Sequence, residues 1–498
     1  SQACCPTPVC IASRHSFITG RRMRDHHWFA NGALPGPIPE LPTLMTLLHG
    51  QGYHTHAVGK MHFLGRHYGL EEHERMEECC AARLDDDYLL YLRANGIRTR
   101  YPQGLRDLLY YQPQTCGIAE EHSQNAWVAK RACRALRDHR SQRGDRPLFL
   151  WASWIAPHPP FAPCEPYDLL YDPADMADPV YPERPLATLP SAAWAHRARL
   201  DGAHCDPERR RRIRALYAGQ VSHVDHAIGQ VLAELDSLGM ADDTAVLFVS
   251  DHGDMLGDHG LSQKNVPYEP SVRVPLILRW PGRTTPGTVR GDLVGLTDVL
   301  PTVLDELSIP YPEGLPPLPG ASLLGSAGGG LAQPRTEYVI DYGRGRGRWL
   351  CLRSHSHKYT IWADGDTEEL YDLATDPQEL RNVAAQHPDL AKCFRERALV
   401  WEHEHGLPCS FEGDTFRSFA PPPVPGQEPR GVSLNEGTWQ DRLPLDEQGE
   451  VETFAEAFTR AVSRETTLSP DKLSLAAYKR QGGTSLADTP WETPWRDA

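Results

Sequence analysis

The feature that most constrains the fold is a long amphipathic helix followed by an apolar strand. Between residues 213 and 238, apolar side chains recur with the 3.6-residue period of a helix, and Gly239 ends the pattern. Residues 244–250 form a nearly continuous apolar run, which is typical of a parallel strand buried on both faces. Residues 123–136 and 147–154 repeat this step from helix to strand. We therefore expect residues up to about 320 to adopt an α/β fold.

Three parts of the chain are predicted. Residues 1–330 form an α/β domain that closes with a stretch rich in proline and glycine from 310 to 330. Residues 331–408 form a small C-terminal α+β subdomain with an antiparallel sheet, because short apolar strands are followed by a helix. Residues 409–498 form a polar, proline-rich extension with one predicted helix at residues 452–464. Near the start of the chain, a helix is predicted at residues 39–48 and a strand at residues 53–60.

The charge and the cysteines limit the classes of partner. With 498 residues and a formal net charge of −15, the chain is not expected to bind nucleic acid or an anionic membrane surface. Its apolar stretches are of strand length, far below the roughly 20 residues that a membrane span requires. Twelve cysteines are scattered without a Cys-x-x-Cys pair, so we expect reduced thiols, which slightly favour the cytoplasm. The oligomeric state is left open.

Two blocks of residues carry the strongest chemical signal. The first is the run Cys-Ile-Ala-Ser-Arg from Cys10 to Arg14. The second, residues 249–260, follows the apolar strand and places five Asp and His side chains among three glycines. Sites in open α/β sheets collect beyond the carboxyl ends of strands, so Asp251 and His252 are expected where they can hold a metal. A charged surface loop is the alternative interpretation of this second block.

Three weaker blocks follow the same logic. Lys60 and His62 lie two residues apart after a predicted strand, so both side chains point to one face of an extended segment and suit an anionic oxygen. His158 lies between prolines after another predicted strand, and the prolines fix its backbone. Lys264 follows the second block closely. Taken singly, each of these residues is more often an ordinary surface or turn residue.

In this order, the five blocks resemble the type I, formylglycine-dependent sulfatase family of the alkaline phosphatase superfamily. The resemblance extends from residue 4 to about residue 400. It implies an alkaline-phosphatase-like fold with a central mixed, mostly parallel sheet flanked by helices, and residues 1–330 as the catalytic domain of a bacterial sulfuric ester hydrolase. It also implies that a formylglycine-generating maturation enzyme oxidises Cys10 to formylglycine, whose hydrate supplies the nucleophile.

The resemblance further implies a metal site. Asp251 and His252 match two metal ligands of the family, and the nucleophile derived from Cys10 would coordinate the same ion. Ca²⁺ is the expected ion, while the histidine ligand leaves Mn²⁺ or Mg²⁺ open. The family also supplies two consecutive aspartates from a strand well upstream of the cysteine, and residues 1–9 contain no acidic residue. We therefore expect this N-terminal strand, and half of the usual metal site, to be missing from the chain.

Roles for the remaining residues also follow from the resemblance. Arg14 would brace the nucleophile, and Lys60 and Lys264 would hold the sulfate oxygens. Either His158 or His62 would protonate the leaving oxygen or orient the ester, and the other would help to regenerate the aldehyde.

Three functions are consistent with these residues. The first is hydrolysis of a small-molecule or carbohydrate sulfate ester. The second is hydrolysis of a phosphonate monoester or phosphodiester with the same nucleophile and metal, because these substrates share a tetrahedral anionic centre. The third is a non-catalytic protein with a truncated sulfatase fold. The organic part of the substrate is not predicted.

Overall fold

The computed structural model describes residues 2–31, 38–78, 86–97, 99, 102–104, 113–143, 145–182, 207–325, 330–363 and 367–419. Its α-helices are α1 (Cys10–Thr19), α2 (Met23–His26), α3 (Leu44–Gly50), α4 (Asp87–Ala94), α5 (Gln124–Gln142), α6 (Pro207–Ser237), α7 (Glu269–Val272), α8 (Val299–Glu306) and α9 (Pro388–His405). Its strands are β1 (Gln2–Cys4), β2 (His54–Gly59), β3 (Glu72–Arg75), β4 (Leu148–Ser153), β5 (Val246–Val249), β6 (Leu276–Arg279), β7 (Leu293–Gly295), β8 (Glu337–Tyr342), β9 (Trp349–Ser354), β10 (His357–Trp362), β11 (Thr367–Asp372), β12 (Phe411–Glu412) and β13 (Thr415–Phe416). The helix predicted at residues 452–464 lies outside the described residues.

Parallel strands position the functional edge of the molecule. Strand β2 lies between β3 and β4 and is parallel to both, and β1 is parallel to β7. Helices α3 and α5 pack against β2. Because parallel strands bring their carboxyl ends to one edge of a sheet, Lys60 directly after β2 lies beside the end of β4, where its amide donates to the Ser153 carbonyl at 3.0 Å. The predicted α/β class is confirmed.

Two helices agree with the sequence pattern, and one begins later than predicted. Helices α5 and α6 cover the segments with helical periodicity, and α5 is capped by the Ser123 hydroxyl, which accepts from the Ala126 amide. The helix predicted from residue 39 begins only at Leu44. Thr43 caps it by accepting from the Thr46 amide at 3.1 Å, and Pro42 directly before this cap favours an extended chain.

The direction of strand β5 differs from the prediction. We expected a parallel strand buried on both faces, but β5 pairs antiparallel with β6, and Val249 lies opposite Leu276. Its side chains are only partly covered, and Phe248 keeps 38% of its surface exposed. A continuous apolar run carries no information on the direction of the partner strand, so this part of the prediction is wrong.

The C-terminal strands form the antiparallel sheet that the sequence predicted, in the order β11-β10-β9-β8. One face of this sheet packs on α9 through Leu350 and Leu352. The other face contributes Trp349 and Trp362 to the largest apolar cluster, which also contains Phe17 of α1. The boundaries of the three predicted parts stay a prediction. Among the described residues, every helix is too short or too polar to serve as a membrane span.

Candidate active site

Helix α1 presents Cys10 at its first turn. Every residue of this helix is buried, and Cys10 itself has no exposed surface. The helix ends at Gly20, whose φ of 64° is left-handed and where a Cβ would lie 3.1 Å from the Leu300 side chain. The unpaired amides and the positive end of the helix dipole lie at the Cys10 end, so an anion on that side chain is stabilised.

Arg14 joins the ends of three strands one turn further along α1. Its Nε donates to the Asp251 carboxylate at 2.8 Å, just beyond β5. Another guanidinium nitrogen donates to the Lys60 carbonyl at 3.0 Å and to the Ser153 hydroxyl at 3.2 Å, at the ends of β2 and β4. A planar guanidinium suits this task because it offers several donors in a fixed geometry. Arg14 therefore fixes the relative positions of the loops that carry the other site residues.

Asp251 and His252 face Cys10 from the loop after β5. The Cys10 Sγ and the His252 Nε2 are 3.1 Å apart. The His252 Nδ1 lies 2.8 Å from the Gly253 carbonyl, to which it donates, so Nε2 is left to face the sulfur. A Cβ at Gly253 would lie 1.9 Å from the Pro270 carbonyl oxygen, which explains the glycine at this position. One ligand atom each of Cys10, Asp251 and His252 lies within 4.8 Å of the others, a spacing that can hold a metal ion.

The basic side chains of the site surround the carboxylate of Glu78. Its side chain forms an ion pair with the Lys60 ammonium and lies 3.2 Å from the His158 Nε2. The Lys264 ammonium lies 3.2 Å from the same His158 nitrogen, and the His62 Nδ1 is 3.8 Å from the Glu78 carboxylate. A carboxylate thus occupies the cradle of basic groups in which a substrate anion was expected.

The charges around Cys10 favour its thiolate. Burial alone would raise the pKa of the Cys10 thiol, but the positive charges of Lys264, Lys60 and His252 hold it well below its ordinary value. The pKa of Lys264 is raised in return, because its attraction to Cys10 and Glu78 outweighs the effect of burial. The surroundings of Cys10 therefore stabilise negative charge at this position.

Burial and neighbouring charges separate the protonation states of the other groups. Burial would raise the pKa of Asp251, but His252 and Arg14 hold that pKa well below its usual range. Burial lowers the pKa of His158 to about 4, despite the opposite effect of Glu78. His158 is therefore neutral near pH 7, while Asp251 is ionised.

The structure brings all eight predicted residues to one edge of the fold. A continuous set of contacts links them, namely Cys10, Arg14, Lys60, His62, His158, Asp251, His252 and Lys264. The reason given for His62 is wrong, because β2 ends at Gly59 and His62 has a left-handed φ of 58°. Its approach to Lys60 results from this turn and not from the alternation of an extended strand.

Sequence reasoning missed Ser13, Ser153 and Glu78. The Ser13 hydroxyl donates to the Asp251 carbonyl at 2.5 Å. Its place in the Cys-Ile-Ala-Ser-Arg run offered a signal, whereas Ser153 and Glu78 belong to no recognisable motif.

Comparisons with known proteins agree with this geometry. A family model described as "Sulfatase" matches residues 1–309, and one described as "N-sulphoglucosamine sulphohydrolase, C-terminal" matches residues 257–398. An arylsulfatase of Clostridium perfringens is 29% identical over 409 residues, which cover 76% of this chain and 80% of that protein. A choline-sulfatase of Rhizobium meliloti is 30% identical over 423 residues, which cover 80% and 78%.

The fold is also found among solved structures. The phosphonate monoester hydrolase of Silicibacter pomeroyi superposes with a TM-score of 0.68 at 23% identity, covering 84% of this chain and 91% of that one. This likeness confirms the fold class that the sequence predicted. With the family model matching more than half of the chain, the protein belongs to the sulfatase family and is a hydrolase of that class.

Proposed function

We propose that this protein hydrolyses the sulfate ester of a small molecule or a carbohydrate, with a formylglycine derived from Cys10 and a divalent metal ion. The observation that carries the proposal is the setting of Cys10, 3.1 Å from the His252 Nε2 and surrounded by basic side chains, in a chain of the sulfatase family. The curated relatives are named for aryl and choline sulfate hydrolysis, which supports sulfate as the group removed.

The residues present fit a divalent metal. Asp251, His252 and the residue-10 side chain would hold it, since their ligand atoms lie within 4.8 Å of one another. When bound, the ion would act as a Lewis acid and favour ionisation of the nucleophilic oxygen. Ca²⁺ is the first candidate by family resemblance, and the imidazole ligand leaves Mn²⁺ or Mg²⁺ as alternatives. Formylglycine, installed by a maturation enzyme, would supply a hydrate oxygen as nucleophile.

The basic groups bind the substrate anion in this proposal. The ammonium groups of Lys60 and Lys264 hold sulfate oxygens and stabilise the charge of the transition state. Glu78 leaves this cradle when the substrate enters, because one cradle cannot hold both anions. Arg14 keeps its contact with Asp251 throughout and orients the loop that faces the nucleophile.

The two histidines take different roles. The His158 Nδ1 donates to the Pro159 carbonyl at 2.7 Å, so the Nε2 of the neutral ring is a proton acceptor that the Lys264 ammonium reaches at 3.2 Å. The His62 Nδ1 is buried and has no hydrogen-bond partner among the described atoms. We assign proton acceptance to His158 and assign donation to the leaving oxygen to His62.

The experiment compares turnover of an aryl sulfate and an aryl phosphonate monoester by protein produced together with a maturation enzyme. We expect sulfate turnover to exceed phosphonate turnover. A chain that cleaves only the phosphonate would favour the alternative, a phosphonate monoester or phosphodiester hydrolase. The Silicibacter pomeroyi protein, a phosphonate monoester hydrolase with the same fold, is the reason for testing this alternative.

Mass spectrometry of the peptide containing Cys10 tests the nucleophile separately. We expect the aldehyde in place of the thiol. An intact thiol together with no turnover of either substrate would identify a non-catalytic member of the fold.

A further inference from the structure

A second cluster of ligand-type side chains lies at the opposite end of β2 from the active site. His54 and His56 are two residues apart on this strand and point to the same face of the sheet. Glu72 lies beside His56 in the parallel register of β3. One ligand atom from each of these three side chains lies within 4.8 Å of the others. Four residues at about 3.3 Å each place His56 about 13 Å from Lys60 along the strand, so this cluster is distinct from the site around Lys60.

Both histidines are buried between the sheet and α5. The His54 Nε2 faces the Glu72 carboxylate at 3.3 Å, and the His56 Nε2 faces the Glu74 carboxylate at 3.7 Å. His54 is 2% exposed and His56 is 6% exposed. Neither Nε2 atom has a hydrogen-bond partner among the described atoms. A buried polar atom without a hydrogen bond costs about 1–3 kcal/mol, so the His54 Nε2, which lies in the cluster with Glu72, requires an explanation.

The hydrogen bonds of His139, on α5, determine which nitrogen of His54 carries the proton. The His139 Nε2 lies 2.9 Å from the Arg146 carbonyl, which can only accept, so Nε2 is protonated. In a neutral ring with its proton on Nε2, the Nδ1 atom carries a lone pair. This Nδ1 lies 3.1 Å from the His54 Nδ1, which must be the donor. The Nε2 of neutral His54 consequently carries a lone pair and no proton.

This lone pair faces a carboxylate. The His54 Nε2 is 3.3 Å from a Glu72 oxygen, and the His56 Nδ1 is 3.7 Å from the other Glu72 oxygen. Two acceptors at this separation repel each other, and a cation that contacts both would relieve the repulsion.

We propose that His54, His56 and Glu72 bind a Zn²⁺ ion, with His139 as the positioning residue that fixes the tautomer of His54. Two imidazoles and a carboxylate are ligands that Zn²⁺ accepts, and tetrahedral ligands at about 2.0–2.1 Å from the ion lie about 3.4 Å apart. The separation of His54 and Glu72 already matches this spacing. A hydrogen bond from the second ring nitrogen of a ligand to a neighbouring group is the usual arrangement around bound metals.

The neighbouring charges define how the ion enters. The Glu72 side chain is 44% exposed, which provides a route from solvent. The Arg143 guanidinium pairs with the Glu72 carboxylate, and Arg131 pairs with Glu74. Zn²⁺ therefore competes with Arg143 for Glu72. The bound ion would join β2 to β3, a structural role remote from catalysis.

The test is a titration of the full chain with Co²⁺, whose visible absorption reports tetrahedral coordination, followed by displacement with Zn²⁺. The substitutions Cys10→Ala and His252→Ala are present throughout to remove two active-site ligands. We expect one equivalent of Co²⁺ with a tetrahedral spectrum. His56→Gln should weaken binding by about ten-fold or more and abolish that spectrum. His73→Gln, on β3, is the matched control, because the alternation of the strand directs His73 to the other face.

Arg143→Gln tests the same site in the opposite direction. Loss of the competing guanidinium should tighten Co²⁺ and Zn²⁺ binding severalfold, and this result does not depend on how well the His56 variant folds. The proposal is overturned if the parent protein shows no tetrahedral Co²⁺ spectrum, or if His56→Gln and His73→Gln bind Co²⁺ equally. It is also overturned if Arg143→Gln leaves the affinity unchanged or weakens it.

Discussion

Substitution of Glu78 by glutamine should increase the affinity of the active site for sulfate. Glu78 contacts the Lys60 ammonium and lies 3.2 Å from the His158 Nε2, so its carboxylate competes with any anion for the same basic groups. Glutamine keeps the shape of the side chain but removes the charge. A basic cradle without its internal anion should bind an external anion more tightly.

The magnitude follows from the distances. Two unit charges about 4 Å apart interact by about 4 kcal/mol at an effective dielectric constant of about 20, which is an upper limit for the repulsion between Glu78 and sulfate. Glu78 moves aside in the complex, and the glutamine amide still competes weakly for Lys60. We therefore expect a gain of about 1.4–2.8 kcal/mol, which corresponds to a ten- to hundred-fold lower dissociation constant.

Isothermal titration calorimetry with sodium sulfate at constant ionic strength measures this directly and does not require turnover. The matched control is Glu71→Gln, which removes the same charge from a carboxylate paired with Arg146 at the other end of β3. Sulfate affinity that stays the same or falls in Glu78→Gln would show that Glu78 does not occupy the anion position. An equal gain in both variants would assign the effect to net charge alone.

Three further outcomes are expected. Lys264→Ala should lower kcat/KM for an aryl sulfate about 100- to 1000-fold with an unchanged far-ultraviolet circular dichroism spectrum; a loss below five-fold would contradict its role on the anion. Arg14→Lys should lower the free energy of unfolding in urea by about 1–3 kcal/mol, because a lysine cannot reach three strand ends, and a stability equal to that of the parent would refute this. Burial lowers the pKa of His15 to about 4 from 6.5, so the unfolded chain binds the extra proton and stability falls as the pH drops from 6.5 to 4. His15→Gln should remove about 2 kcal/mol of the loss in unfolding free energy between pH 7 and pH 4.5, measured by urea unfolding. An equal loss in both proteins would exclude His15 as its source.

Residues that follow strands were predictable from the sequence, because periodicity and motif order reveal where strands end. Lys60, His158 and Asp251 each follow a strand, and the structure places all three near Cys10. The direction of β5 was not predictable, since the apolar run encodes burial and not the partner. The local sequence pattern therefore predicted which residues approach Cys10, but it did not predict the direction in which β5 pairs with its neighbour.

Glu78 and the cluster at His54 depend on the tertiary path of the chain. Glu78 lies in the segment after β3, and its approach to Lys60 follows from how that segment returns over the end of β2. His54 and His56 show the alternation of a strand, but only the packing of α5 brings His139 against them. No local spacing encodes a contact between residues 85 positions apart.

The burial of α1 has a consequence for the order of events during biosynthesis. Cys10 has no exposed surface, and the residues on both sides of it are covered as well. A second protein that alters this side chain needs the peptide exposed, which the finished fold does not allow. The maturation proposed for residue 10 would therefore have to precede folding of the chain, and the two processes would compete in time. In the proposed function, a polypeptide that folds first would retain its thiol, so the fraction of active molecules would depend on the rate of folding relative to the supply of the modifying enzyme.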